Sequence, residues 1–225
     1  MFIVGLTGGI ATGKSTVSGI LTDLGCEIID ADQVAREVVR PGKPAWSRIK
    51  LEFGESVFLD NGELDRDRLG QIIFTDTQKR QLVNRIVHPE VQKTIIFRLL
   101  KFFITGHKYI ILDVPLLFES GKMLSFMAAT VVVKCMDEQQ ITRLMARNSL
   151  TQAEALQRIG SQMSLEEKSK RATYVIDNSG TIADTELQVK KLYRTIESSN
   201  VHWRIRVAVV SCLAAVIALV SYILK

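Results

Sequence analysis

The chain is poor in the residues that staple small proteins together. It carries only 3 cysteines in 225 residues, Cys26, Cys135 and Cys212, with no Cys-x-x-Cys pair. An odd, scattered set excludes a disulfide framework and a cysteine zinc site, and it suits a reducing compartment. There is no low-complexity stretch and no internal repeat. Charged residues make up 24% and hydrophobic ones 47%, which excludes a disordered chain. A true excess of one charge sign is also missing. The net charge of +5 falls to +2 once Arg204, Arg206 and Lys225 are set aside, all in a terminal stretch without an acidic side chain. A residual charge that small gives no footprint for nucleic acid. No arginine precedes Arg36 and no basic segment precedes Phe2, so the opening reads as a strand and not as a leader peptide.

What remains is enough chain for a full hydrophobic core in one domain plus an appendage. Short apolar, β-rich runs recur at Phe2–Leu6, Glu27–Ile29, Tyr109–Leu112, Thr130–Cys135 and Tyr174–Ile176. Between the later runs lie segments of helical periodicity rich in Glu, Gln, Lys and Arg. That alternation predicts an α/β domain with a mostly parallel five-stranded sheet flanked by helices. The connection from Ile29 to Tyr109 is too long for one crossover helix, so an inserted helical region is expected over about residues 40–108. Pro41-Gly42-Lys43-Pro44 and Asp60-Asn61-Gly62 punctuate it as turns. Pro89 is expected to open a new helix, where a missing N–H costs nothing.

Gly8-Gly9-Ile10-Ala11-Thr12-Gly13-Lys14-Ser15 fits G-x-x-x-x-G-K-[ST] without a gap, between a strand and a helical pattern. Glycines let backbone N–H groups point at phosphate oxygens, and the helix N-terminus adds its dipole. Lys14 is placed to bridge β- and γ-phosphates, and Ser15 to coordinate Mg²⁺. The expected nucleotide set is therefore Gly8 to Ser15 with Thr16 next to it. No Asn-Lys-x-Asp guanine signature is present, which argues against a GTPase. At this size a small-molecule kinase using ATP and Mg²⁺ leads.

Two further carboxylate positions fit. Asp30 and Asp32 close the second strand, where ligands gather in a doubly wound sheet. One of them can face a reaction centre while the other packs locally; a helix cap is the structural role open to Asp30. Asp113 follows four apolar residues at the end of Tyr109-Ile110-Ile111-Leu112, the pattern of a carboxylate that supports Mg²⁺.

These residues resemble the dephospho-coenzyme A kinases over nearly all of residues 1–200. The resemblance rests on Gly5-Leu6-Thr7-Gly8-Gly9-Ile10, Asp30-Ala31-Asp32 with Ala35-Arg36, Val87-His88-Pro89, Asp113-Val114-Pro115-Leu116-Leu117-Phe118-Glu119 and Tyr174-Val175-Ile176-Asp177-Asn178. It implies transfer of the γ-phosphate of ATP to the ribose 3′-hydroxyl of dephospho-CoA, the last step of CoA synthesis. On this resemblance Asp32 is the general base. His88 belongs to the acceptor region, Asp113, Leu116, Leu117 and Phe118 line the acceptor side, and Asn178 lies near the adenine. Residues of about 139–172 resemble a lid over ATP, in which Arg143, Arg147 and Arg158 are the candidate phosphate binders, Arg147 first among them. Two other readings stay open: a tethered CoA- or nucleotide-binding scaffold, and a related kinase for another nucleoside or sugar hydroxyl.

The C-terminus is read apart from the rest. Val207–Leu224 is 18 residues without a charge, bracketed by Arg204 and Arg206 on one side and Lys225 on the other. As a helix it would reach about 27 Å, near the thickness of a thin bilayer core. It is expected to be a transmembrane tail anchor, joined by a linker at 201–206, with the kinase-like domain in the cytosol. The membrane would be the mitochondrial outer membrane or the endoplasmic reticulum. Ala214 and Ala218 form a small-xxx-small pair suited to weak self-association.

Overall fold

The strands lie where the apolar runs are, and the central ones are buried on both faces. In the computed structural model, which describes residues 1–205 with 207, 208 and 211, β1 is Phe2–Gly8 and β2 is Ile28–Asp30. They are followed by β3 (Tyr109–Asp113), β4 (Ala129–Lys134) and β5 (Tyr174–Asp177). All five runs expected from the sequence are strands, with ends moved by one or two residues. They make one sheet in the order β2-β3-β1-β4-β5. The pairs β1/β3, β1/β4 and β4/β5 are parallel. The Ile111 N–H donates to the Glu27 carbonyl at 3.0 Å, next to the start of β2. β3 is buried along its whole length, as expected for a parallel strand covered on both faces.

The helices are α1 (Lys14–Asp23), α2 (Ala31–Glu37), α3 (Pro44–Phe53), α4 (Arg66–Thr75) and α5 (Thr77–Ile104). After β3 come the short α6 (Leu117–Ser120), then α7 (Asp137–Asn148), α8 (Gln152–Gly160), α9 (Leu165–Arg171) and α10 (Ile182–Glu197). The chain divides into two units, residues 1–28 with 102–225, and residues 29–101.

In the first unit, Val4, Leu6, Ile111, Val131 and Val133 on the strands pack with Val17 and Leu21 of α1 and Val189, Leu192 and Ile196 of α10. Ile110, Leu112 and Val132 alternate with these along the strands, and they are also buried. Each such side chain contributes roughly 1.5–3 kcal/mol by leaving water. Val201 and Ile205 extend α10's packing against the same cluster. The segment expected as the lid consists of α7, α8 and α9. Thr151 and Glu154 close a capping box at the start of α8, and Ser164 caps α9.

The second unit is helical. Val34, Ile49, Val57, Leu69, Val83 and Ile86 are buried in it. The Trp46 indole N–H donates to the Gly62 carbonyl at 2.8 Å, and its ring lies edge-on to Phe58. Gly42 and Gly62, at the two expected turns, have φ of 82° and 80°. One expectation fails here. Pro89 does not open a helix but lies inside α5. A proline removes one intrahelical hydrogen bond and crowds the preceding turn, at a cost of about 3 kcal/mol. Val83 and Ile86 before it and Ile95 after it are all buried, so packing on both sides offsets that cost.

Among the described residues no helix is long and apolar enough to cross a membrane. Most of the apolar tail expected at 207–224 lies outside the described residues.

Candidate active site

The register of the sheet sets the levels of the site. Leu6 pairs with Asp113, so β1 runs two residues past that carboxylate before turning into the loop Gly9–Gly13. Gly13 takes φ 87° and α1 starts at Lys14 with no side-chain cap. Its first N–H groups therefore face outward from a 10-residue helix, a ready site for an anion. A Cβ on Gly13 would come within 2.0 Å of Asn178 Nδ2, so both backbone angle and space demand glycine. Ala11 takes φ 60°, the left-handed region that an alanine adopts only at a cost.

A phosphate cradle needs its carbonyls turned away from the ligand. Here several have a donor. The Thr12 hydroxyl donates to the Gly9 carbonyl at 3.0 Å. Gln140 Nε2 donates to the Ile10 carbonyl at 2.8 Å. Asn178 Nδ2 donates to the Thr12 carbonyl at 2.9 Å, and its Oδ1 accepts from the Thr185 hydroxyl at 2.9 Å. Lys168 Nζ donates to the Gly8 carbonyl at 3.0 Å. The Ile10 N–H is taken by Gln162 Oε1 at 2.9 Å.

Lys14 Nζ is paired with Asp113 Oδ1. The carboxylate is nearly buried at the end of β3, while the lysine side chain keeps 21% of its surface. Ser15 and Thr16 are exposed in the first turn of α1. Among the described residues no group of three His, Cys, Asp or Glu side chains could hold a metal alone. A hydroxyl and one carboxylate beside a phosphate cradle are all oxygen donors, and that set fits Mg²⁺, which usually keeps several waters and leans on substrate phosphates.

In the second unit, Asp30 Oδ1 accepts from the N–H groups of Asp32 and Gln33 at 2.8 and 3.0 Å, which makes it the cap of α2. That leaves the carboxylate of Asp32 exposed in the first turn. His88 is exposed on α5. In the first unit, Leu116 is 46% exposed, whereas Leu117 and Phe118 are buried. Leu117 is core packing: a Cβ on Gly5 would meet its Cδ2 at 2.7 Å.

The lid arginines divide. Arg143 Nη2 donates to the Asn178 carbonyl at 3.3 Å, and its Nη1 is buried with no hydrogen-bond partner among the described residues. Arg147 and Arg158 are exposed, and Arg147 Nε donates to Asn148. Arg143 thus reaches the Asn178 backbone, whose side chain binds the loop, while Arg147 is bonded to its own neighbour. Asn178, expected at the adenine, has both ends of its side chain committed to the loop and to Thr185. No sequence signal marks Gln140 and Lys168, which donate to loop carbonyls, or Gln162, which accepts a loop N–H, because motif spacing points only to charge on phosphate.

Ionisation follows burial. It pushes the Cys135 thiol upward, with Arg143 opposing. Burial also raises the Cys26 thiol and the Tyr109 phenol, which lie 3.5 Å apart. At Asp177 burial pushes upward too, but hydrogen bonds from Ser179 and Lys134 outweigh it and hold the carboxyl below its ordinary range.

Comparison with known proteins follows the same lines. The sequence profile described as Dephospho-CoA kinase matches residues 2–184. A "Dephospho-CoA kinase domain-containing protein" of Danio rerio is 48% identical over 225 residues, covering 100% of this chain and 98% of that one. A dephospho-CoA kinase of Bacillus licheniformis is 47% identical over 194 residues, 86% of this chain and 96% of its own. The solved dephospho-CoA kinase of Campylobacter jejuni superposes with a TM-score of 0.67 at 27% identity, covering 86% of this chain and 96% of that one.

Proposed function

This chain belongs to the dephospho-CoA kinase family, and from that premise we infer that it transfers the γ-phosphoryl group of ATP to the ribose 3′-hydroxyl of dephospho-CoA. It is an enzyme, a phosphotransferase with an alcohol acceptor, and it phosphorylates dephospho-CoA to CoA. The observation that carries the reading is the Gly8–Ser15 loop with Lys14 set against Asp113, in a chain that matches the family over residues 2–184.

The division of labour follows from chemistry. Lys14 and the N–H groups at the start of α1 hold the β- and γ-phosphates. Ser15 and Asp113 would hold Mg²⁺, which when bound neutralises charge on the phosphates. Asp32, released from capping by Asp30, orients the acceptor hydroxyl and takes its proton. Arg143 and Arg147 supply guanidinium groups to the transferring phosphoryl oxygens, Arg147 by movement of the lid. For His88 and for Leu116 the family resemblance supports a role in binding the acceptor.

The test is ADP release from Mg·ATP by the full chain, with and without dephospho-CoA. Strong stimulation with CoA as product supports the reading. ATP binding without stimulation moves the assignment to another acceptor or to a scaffold.

The tail at 207–224 is proposed as a membrane anchor that leaves residues 1–200 in the cytosol, at the mitochondrial outer membrane or the endoplasmic reticulum. Its support is the uncharged run of 18 residues flanked by Arg204, Arg206 and Lys225. The Danio rerio relative aligns across the whole chain, tail included, whereas the Bacillus licheniformis enzyme is almost fully covered by 194 residues. Alkaline extraction tests it: the full chain should stay with membranes, and a chain ending at Ile205 should be released. Release of both refutes the anchor.

A further inference from the structure

Three side chains from distant elements donate to carbonyls of the phosphate loop, and only one of them is charged. Gln140 and Asn178 hold the Ile10 and Thr12 carbonyls with neutral amides. Lys168 holds the Gly8 carbonyl with an ammonium whose side chain has 0% of its surface exposed. A buried charge is costly unless it is paired, and this one is: Nζ lies 2.7 Å from Glu119 Oε1. The same oxygen accepts the Met163 N–H at 3.2 Å. One carboxylate on α6 thus receives the lysine of α9 and the backbone that leads into α9.

The surroundings fix this arrangement from the other side. A Cβ on Gly8 would meet the Val133 carbonyl at 2.7 Å and the Thr12 hydroxyl at 2.8 Å. One on Gly9 would meet Gln140 Nε2 at 2.7 Å and Leu165 Cδ2 at 2.9 Å. There is thus no room for a side chain at Gly8 or Gly9, and a glycine backbone without one relies on hydrogen bonds such as that from Lys168 to set its carbonyl direction. A carbonyl left unpaired at the mouth of the cradle can turn inward, where it repels phosphate. The ammonium of Lys168 prevents this by holding the carbonyl as an acceptor.

We propose that Lys168 is a positioning residue for phosphoryl transfer: it keeps the Gly8 carbonyl turned out of the cradle, and through Glu119 it ties the cradle to the segment that follows Asp113. The proposal rests on reading the loop as the ATP site. A neutral amide would serve the first task, as it does at Ile10 and Thr12. The charge is explained by the second, because it recruits Glu119 and so couples the nucleotide loop to the Leu116–Glu119 stretch. Lys168 touches no reacting atom.

The test uses the full chain with Lys168→Met, Lys168→Arg and Glu119→Gln, measuring both KM values, kcat, and the affinity of a non-hydrolysable ATP analogue. Lys168→Met should raise the ATP KM and weaken the analogue by about ten- to a hundredfold, the size of one charged hydrogen bond. Lys168→Arg, which keeps charge and donor, should recover part of that loss. Glu119→Gln should raise the ATP KM at least about threefold and the dephospho-CoA KM as well, since a neutral partner holds the ammonium less firmly. A merely structural role would lower the active fraction, and with it kcat, while leaving both KM values alone. An unchanged ATP KM in folded Lys168→Met, or an arginine variant no better than methionine, overturns the proposal. Should the methionine variant not fold, Glu119→Gln decides, and normal KM values there overturn it. Analogue binding reads Lys168 even if the wild type makes no CoA, so failure of the reaction assignment remains distinct.

Discussion

Asn178→Asp changes one atom in a site with no room to adjust. Asn178 is 8% exposed, its Nδ2 is 2.9 Å from the Thr12 carbonyl, and its Oδ1 is occupied by Thr185. With aspartate, an ionised oxygen would face the Thr12 oxygen directly. Desolvation and the facing carbonyl push the new carboxyl upward, with Arg143 opposing; a net rise of about two units corresponds to about 2.7 kcal/mol. The sign follows from linkage. The folded carboxyl is raised above its unfolded value of about 3.9, so the penalty is absent below pH 4, partial near pH 5 and complete above pH 6. A protonated carboxyl can still donate to Thr12. The variant should therefore be about 2–3 kcal/mol less stable than wild type at pH 8, and at pH 5 that penalty should fall to about half. Asn178→Ala provides the control: it loses the same bonds without gaining a charge, at about 2–3 kcal/mol and equally at both pH values. Urea unfolding midpoints at pH 5 and 8, each referred to wild type at the same pH, read both. An aspartate penalty that does not change with pH would show that the side chain does not face the Thr12 carbonyl.

Other predictions follow from single features. Asp32→Asn should lower turnover about 10²–10⁴-fold with ATP binding retained, and near-normal turnover would remove the base assignment. Ala11→Gly relieves a left-handed alanine worth about 1–2 kcal/mol and gives back about 0.4–1 kcal/mol in unfolded-chain entropy, so thermal melting should rise by about 2–4 °C; a lower melting point would mean that the methyl packs usefully. Cys26 and Cys135 are buried with raised thiol pKa values, so a disulfide reagent at pH 7.5 should modify both far more slowly than after unfolding. By the same linkage their contribution to stability is present below the unfolded thiol value of about 8.5 and is lost above it. Rapid labelling of folded Cys135, followed by mass spectrometry, would contradict this.

Much was legible along the chain because the signals are local. The five strands, the phosphate loop and the turns at Gly42 and Gly62 each depend on a few neighbouring residues, whose apolar patterning or backbone freedom acts within one element. Asp30 against Asp32 was open in sequence, because an extended end and a helix cap use the same residue type. The cap hydrogen bonds to Asp30 decided it. Pro89 misled because the local rule is sound, yet packing at Val83, Ile86 and Ile95 is worth more than the bond it removes.

By itself the sequence determined the class of chemistry: glycine spacing, a lysine and a hydroxyl at a helix start make a phosphate site whatever surrounds them. Only the tertiary structure decided which side chains hold that site in shape. Gln140, Gln162, Lys168 and Asn178 are about 130 to 170 residues from the loop atoms they bind, and Leu117 reaches the core through Gly5. A hydrogen bond depends on distance and direction in space, and no spacing along the chain encodes either until the sheet has brought the ends of β1, β4 and β5 together.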